Sequence, residues 1–528
     1  MGQRLAFDQW RGKPHHVKTM NKTFAVLLLA SAAFAAGAQT ATNAPADGAR
    51  VRELSLKDCI QEALAHNFDI RISRYNPLIQ QYTLSQAYGG YDPSLAISGL
   101  HSHNNSAQFT PTIINTNGTT VFIPNTTLSD NDLFKTSVGG VSPIGTTYSL
   151  FGNIDQNEQT QIGVPQQQSS GGQIGVDLTQ PLLKNFWIDT TRLSIDVGKN
   201  NLDQSEQALR LQLITSVASV QIAYYELIFA RENVTVQQEA LTLAQTQLDQ
   251  DRQRVQVGSL APLDVQQDEA QVASSKSSLI AAQYTLYADE NNLKNLITDS
   301  YRHWQGITLQ PTEQLSDTLQ LFDLQDSWGK GMTKRPDLLE SRLEVTQLGI
   351  TLKFDRNQLY PELDVNGTYG YNGAGTVYSG TFDQVGEANH PYYSIGGSIS
   401  IPLSNVAARN TLKADKSTLQ QKLLTLKQLE QSVMMEIDNS VKQVASDYEA
   451  VQASKQATVY AAAALDAEQK KYNVGKSTTF TVLQLQNTLT TDRGTEIRNI
   501  ANYDEDIAKL SQNEGTTLDD LNIVVDMH

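Results

Sequence analysis

The stretch LITSVASVQIAYYELIFARENVTVQQEALTLAQTQLDQDRQRVQVGS, residues 213–259, carries an apolar residue at every seventh position: Leu213, Val220, Leu227, Val234, Leu241, Leu248 and Val255. A helix brings the same face round every seven residues, so the spacing predicts a coiled-coil seam. Three residues after the seam positions come mostly small or polar side chains, Ser216, Ala223, Ala230, Gln237, Ala244 and Asp251, so neighbouring helices can approach closely on that side. No proline interrupts residues 185–257. At 1.5 Å per residue such a helix is on the order of 100 Å long, more than a globular domain needs.

The seam occurs twice. Ile437, Val444, Val451, Thr458, Leu465 and Tyr472 repeat it at an offset of 217, the same offset that aligns Val255-Gln256-Val257-Gly258-Ser259 with Tyr472-Asn473-Val474-Gly475-Lys476. Further upstream, Ile174 to Leu182 resembles Ile395 to Leu403 at an offset of 221. Asn67 to Arg74 and Asp92 to Leu95 resemble Arg335 to Arg342 and Tyr360 to Leu363 at 268. The chain is thus a tandem duplication in which each copy reads helix, proline, strands, proline, long helix, glycine turn, helix. The expected organisation is an upstream extension and signal peptide over 1–38, a linker over 39–53 and a first repeat over 54–298, with strands near 94–180 and a turn at 257–260. A linker over 299–326 follows, then a second repeat over 327–513 with strands near 362–401 and a turn at 474–477, and a tail over 514–528.

The strands show period two. Ile395, Gly397, Ile399 and Ile401 alternate with serines and glycine, and Leu363, Val365, Tyr369 and Tyr371 alternate with Asp364, Asn366 and Thr368. Segments of about ten such residues suit tilted transmembrane strands with lipid on one side and water on the other. The stretches 104–130 and 372–390, rich in Asn, Thr, Gly and Ser, read as exposed loops. Pro93, Pro181, Pro361 and Pro402 fall where strands meet helices; there they either stiffen a junction or merely mark an element boundary. About 90 residues separate Pro93 from Pro181 against 41 between Pro361 and Pro402, and the excess contains a second hairpin pattern over 133–156. Because helices enter and leave the strands on one side, each copy must contribute an even number, predicting four strands from the first copy and two from the second.

Met20-Asn21-Lys22, the apolar run Phe24 to Ala36 and the small-x-small pattern before Gln39 read as a secretory signal. Residues 1–19 are either an upstream extension or a long charged leader. One cysteine in 528 residues leaves an exported chain without an internal disulfide. Cys59 follows Leu56-Lys57-Asp58, too charged and too far past the apolar run for lipid attachment. No segment after residue 38 reads as apolar enough to cross a membrane as a helix, so a spanning chain would span as strands. The net charge of −16, without clustered Lys and Arg, argues against nucleic acid.

Taken together, the Val-Gly turns at 257–258 and 474–475, the strand ending Thr179-Gln180-Pro181-Leu182-Leu183 and the duplicated element order resemble the TolC family of outer-membrane efflux proteins over nearly the whole mature chain. The resemblance implies an α+β membrane protein, in which a trimeric outer-membrane β-barrel is continued by a long periplasmic α-helical coiled-coil barrel built from two tandem repeats. It implies an exit duct for a tripartite efflux or type I secretion system. The implied partners are a periplasmic adaptor at Val257, Gly258, Ser259, Val474, Gly475 and Lys476, an inner-membrane transporter reached through it, and outer-membrane lipid. The resemblance implies a homotrimer, and physics supports assembly, because strands from one subunit cannot close a barrel and lipid tolerates no open edge. Four strands and two per copy would make the trimer's barrel larger than the family's usual twelve.

By residue, the resemblance implies a tip latch from Asp264 to Tyr472, worth about 1–3 kcal/mol. Ser477 stands where the family's best-known member has an arginine, and Thr481 and Gln484 stand where it has the aspartates of its entrance ring. Asp268 and Glu269 read as solvated helix carboxylates.

No HExxH, GxSxG or phosphate-loop motif occurs, and Gly329-Lys330-Gly331 lacks the preceding glycine of a phosphate loop. His101-Ser102-His103 has metal spacing but reads as strand-end surface, so no enzyme activity, metal or cofactor is expected. The rival readings are a soluble periplasmic coiled-coil adaptor and a structural surface protein. An adaptor has a single helical hairpin beside compact β domains, and a filament has no need of lipid-compatible strands.

Overall fold

The seam of residues 213–259 lies in one unbroken helix of a computed structural model that describes residues 50–524 except 114–119 and 162–163. The predicted signal peptide, its cleavage point and most of the first linker lie outside the described residues. In chain order the first copy contains β1 (Arg50–Leu54), α1 (Leu56–His66), α2 (Phe68–Ser73), α3 (Tyr75–Tyr88), β2 (Ser94–Ile113), β3 (Thr120–Val141), β4 (Thr147–Gln161), β5 (Val164–Pro181), α4 (Thr190–Gln256) and α5 (Pro262–Ile297). After α6 (Tyr301–Trp304) and β6 (Ile307–Pro311) the second contains α7 (Leu324–Lys334), α8 (Pro336–Asn357), β7 (Glu362–Gly375), α9 (Tyr378–Glu387), β8 (Pro391–Ser400), α10 (Val406–Asn473) and α11 (Thr479–Glu514), followed by α12 (Thr517–Asp520). The duplication is preserved in length: α4 and α10 have 67 and 68 residues, and α5 and α11 have 36 each.

Six strands form one antiparallel sheet in the order β2-β3-β4-β5-β7-β8, four from the first copy and two from the second. The register aligns Leu95, Val138, Leu150, Val176, Tyr369 and Tyr393 in a single row across all six strands, and every one of them is exposed. The adjacent row, facing the other way, is Ser94, Gly139, Ser149, Asp177, Thr368 and Ser394. Six apolar side chains held in water would be costly, so this face is built for a non-aqueous neighbour.

Two stretches differ from the loops expected at 104–130 and 372–390. The first is mostly β2 and β3, paired from Ser94↔Gly139 as far as Ile113↔Thr120. Beyond Leu100 and Leu133 the pairs His101↔Asp132, Ser102↔Asn131, His103↔Asp130 and Asn104↔Ser129 are polar on both faces, so the alternation that marks a half-buried strand is lost. The second is the end of β7 followed by α9, which packs on the sheet where Gly172 and Gly373 leave room for Thr381 and Val385. Pro93 directly precedes β2, Pro181 ends β5, Pro361 directly precedes β7 and Pro402 follows β8.

The helices form a wall. Next to the sheet the lateral order is α3, α4, α8, α10; at the far end α4 lies between α5 and α11, α10 lies against α11, and α5 also meets α11. Midway, an equatorial layer covers α4: β1 and β6 pair in parallel, Arg50↔Ile307 to Leu54↔Pro311, and with α1 they bury Leu213, Val217, Val220, Tyr224 and Leu227. Both strands lie in segments read as linkers, and the tail contains α12. Tyr224 donates to the carbonyl of Leu54 (3.2 Å), which ties layer to wall. One 18-residue stretch of α4 is, against expectation, long and apolar enough to cross a membrane. It is 61 % buried inside the protein, and packing under the equatorial layer accounts for its apolarity.

Candidate functional site

At the end of the wall remote from the sheet, α4 and α10 each stop at a glycine. Gly258 (φ 75°) and Gly475 (φ 74°) adopt the left-handed conformation that costs glycine least. Each turn closes with the same two bonds: Ser259 N–H to Arg254 O (2.9 Å) and Gly258 N–H to Val255 O (2.9 Å) in the first, Lys476 N–H to Lys471 O (2.9 Å) and Gly475 N–H to Tyr472 O (3.0 Å) in the second. These satisfy helix-end carbonyls that would otherwise be orphaned. The chain then turns back through Pro262 at the start of α5, and through Thr478, whose hydroxyl caps α11 by accepting from Thr481 N–H. Val257 and Val474 stand exposed at the two apices, with Leu263 and Phe480, also exposed, behind them.

Inside the tip the carboxylate that meets Tyr472 is not the expected Asp264. Tyr472 donates its phenolic hydrogen to Asp251 Oδ1 (2.7 Å) and lies 2.9 Å from the Thr479 hydroxyl. Asp264 makes no hydrogen bond to Tyr472; it sits in the first turn of α5, where a carboxylate is favoured by the helix dipole. Asp251 is one turn before the end of α4, on the inner seam, and is completely buried. It also accepts from Gln247 Nε2 (2.7 Å), whose carbonyl oxygen accepts from Gln469 Nε2 of α10 (3.0 Å). Arg254 stacks on the Tyr472 ring at 4.4 Å and approaches Asp251 at 3.8 Å. Burial, with Asp251 beside it, pushes the Tyr472 phenol up to about 12, so it remains a donor.

Asp268 of α5 completes the cluster and corrects the expectation of a solvated carboxylate. It is 0 % exposed, and neither of its oxygens has a hydrogen-bond donor. Burial first, then the charge of Asp251, pushes its pKa up to about 7. Its neighbour Glu269 is exposed and pairs with Arg252 (2.8 Å). Asp251 on α4, Asp268 on α5, Tyr472 on α10 and Thr479 on α11 therefore bring all four tip helices to one buried polar point. The signal in the sequence was Asp251 itself, a charge in a seam column otherwise filled by Ala, Ser and Gln.

The entrance positions are uncharged. Gln484 lines a groove of about 800 Å³ between α5 and α11 with Gln267, Gln271 and Asn487, and the last two are hydrogen-bonded at 2.7 Å. Thr481 lies in the first turn of α11, its hydroxyl 3.0 Å from that of Thr478. Ser477 donates to Glu468 and, with Lys471, holds that carboxyl below its ordinary range. On the sheet, His101 and His103 each face an aspartate across the ladder, Asp132 at 2.7 Å and Asp130 at 2.6 Å. Among the described residues no group of three His, Cys, Asp or Glu is placed to hold a metal.

This geometry has counterparts. The outer membrane efflux protein family matches residues 146–298 and 332–516, more than half of the chain and both tips. Outer membrane protein TolC of Vibrio cholerae is 24 % identical over 324 residues, 58 % of this chain and 68 % of the relative. Outer membrane efflux protein BepC of Brucella suis is 24 % identical over 323 residues, 60 % and 66 % of the two chains. The CmeC outer membrane channel of Campylobacter jejuni has the same fold, with a TM-score of 0.61 and 15 % identity over 88 % of this chain and 86 % of that one. A two-faced sheet with an exposed apolar row, a duplicated helical wall and the matched range agree: the chain belongs to the outer membrane efflux protein family and resides in the outer membrane.

Proposed function

We propose that three copies of this chain assemble into an outer-membrane exit duct of a tripartite efflux or type I secretion system. The observation that carries this reading is the coincidence of free edges. The sheet is open at β2 and β8. The wall is open at α3 and α5, the helices on the β2 side, and at α10, which follows β8. All these edges are apolar and exposed: Phe68, Ile72, Tyr75, Ile79 and Tyr82 on α2 and α3, Ile280, Tyr284 and Tyr287 on α5, and Leu424, Met435 and Val459 on α10. The α2–α3 and α5 positions are spaced alternately by four and three, as in an unfilled coiled-coil seam.

A head-to-tail contact in which α10 and β8 of one copy meet α3, α5 and β2 of the next closes both layers at once. Three six-stranded sheets then give an eighteen-stranded barrel, wider than twelve strands allow. The apolar row faces lipid and the row with Asp177 and Thr368 faces the lumen. At the tip, the duplicated apolar pairs Val257 with Leu263 and Val474 with Phe480 suit docking of a periplasmic adaptor, through which an inner-membrane transporter is reached. The Asp251–Tyr472 contact holds the tip closed. A soluble adaptor or a surface filament accounts for neither the six-stranded apolar row nor the matching edges.

The test is membrane fractionation followed by electrophoresis with and without heating, and conductance in planar bilayers. A heat-sensitive trimer in the outer membrane that forms pores is expected. Recovery only from the soluble periplasm would refute the duct.

A further inference from the structure

Just below the sheet, α4 has four sides, and contacts identify them. Asn200 donates to Leu343 O of α8 (3.1 Å), and Gly198 lies against Leu84 of α3. Of the two remaining sides, one carries Ser194 and Asn201, both uncharged, and the other Arg192, Asp196 and Lys199. Steps of seven from Lys199 lead down the helix to Leu213 and Val220, which the equatorial layer covers. On the duct reading proposed above, on which this inference rests, a layer on the passage side would obstruct it, so Arg192, Asp196 and Lys199 stand on the outer surface of the wall.

On that surface a cleft of about 640 Å³ opens between α3, α8 and the start of α4. Tyr88, Trp187, Arg192, Asp196, Lys199 and Lys353 line it: three cations against one acid, in a chain whose net charge is −16. Trp187 holds a left-handed backbone (φ 59°), a conformation that costs a bulky residue, and the residue is 49 % exposed. Arg192 lies 5.7 Å over that ring and donates to the Trp187 carbonyl (3.3 Å). Lys199 is only loosely paired with Asp196 at 3.8 Å, and Lys353 has no ion pair among the described residues. The cleft begins within ten residues of Pro181, the end of β5, where the lipid-compatible face of the sheet gives way to helix.

We propose that this cleft binds the phosphate of an inner-leaflet phospholipid, whose acyl chains run up over the apolar row of the sheet. Exposed aromatics beside basic side chains at the edge of an apolar band are the chemistry that membrane interfaces select. Arg192 and Lys199 meet the phosphate from α4 and Lys353 from α8, while Trp187 and Tyr88 lie against the glycerol. The lipid then bridges α4 and α8, one helix from each repeat, at the level where the wall joins the sheet.

Native mass spectrometry of the full chain, released from mild detergent, tests this with three probes: phosphatidylglycerol, diacylglycerol and inorganic phosphate. Selective retention of phosphatidylglycerol is expected. Arg192→Gln/Lys199→Gln/Lys353→Gln should lower that retention about tenfold or more, with an unchanged heat-sensitive assembly. Lys353→Glu, an exposed single change, should lower it in part and serves if the triple variant does not fold. Retention of diacylglycerol equal to that of phosphatidylglycerol, displacement of the lipid by millimolar inorganic phosphate, or full retention by the variants would each overturn the proposal.

Discussion

Tyr472 and Asp251 lie near the tip ends of the two long helices, one from each repeat, and meet at 2.7 Å with no exposed surface on the aspartate. A buried hydrogen bond to a charged acceptor contributes about 1.5–3 kcal/mol. Tyr472→Phe should therefore loosen the tip and raise single-channel conductance in planar bilayers, and Asp251→Asn should do so more strongly because Arg254 also loses its counter-charge. Asp264→Ala is expected to leave conductance within about twofold, since surface carboxylates contribute little. Equal opening by Asp264→Ala would return the latch to the position expected from the sequence.

The buried carboxyl of Asp268 makes the tip sensitive to pH. Its folded pKa is raised, to about 7 from an ordinary 3.8, so the folded tip holds a proton that the open one releases. The resulting stability is complete below about 4 and is lost as pH rises towards 7. Asp447, raised to about 7, and Asp355, raised to about 6, each by burial and then by a facing aspartate, act in the same sense higher in the wall. Hydrogen exchange in the 250–275 segment, corrected for intrinsic rates, should be faster at pH 8 than at pH 5. Asp268→Asn, which mimics the protonated acid, should abolish that difference; a difference that survives it must come from another group.

Gly475 has open space where a Cβ would go, so Gly475→Ala tests backbone conformation without a clash. The left-handed turn costs an L-residue about 1–2 kcal/mol. Local exchange of the 472–478 amides should rise roughly five- to thirtyfold with little change elsewhere. The same substitution at Gly258, equally unobstructed, should match it.

Ile79 is 55 % exposed on the free edge of α3, so a single chain leaves more than half of the residue uncovered. Ile79→Glu should leave the chain folded and exported, yet abolish the heat-sensitive trimer on gels. A trimer of normal stability would move the subunit contact away from this seam.

The heptads made the helical wall legible because one seven-residue spacing runs from Leu213 to Val255 of α4. The glycine turns were legible because a positive φ restricts the residue. Strands β2 and β3 were legible only where one face is apolar; above Phe134, Asn and Ser on both faces left no period to read. Asp268 was misread because position on a helix does not say which neighbour covers it. Asp264 was assigned by the resemblance, whereas the bond depends on which side chain projects into the seam, and that is Asp251.

The parallel pairing of Arg50–Leu54 with Ile307–Pro311 joins the start of the described chain to its middle. A chain exported from its N-terminus delivers β1 some 250 residues before the strand that completes it. Throughout that interval β1 is an unpaired edge, open to any extended segment nearby. Maturation of this protein thus contains an enforced wait: the first repeat can form its long hairpin early, but its girdle closes only after the segment that joins it to the second repeat has arrived.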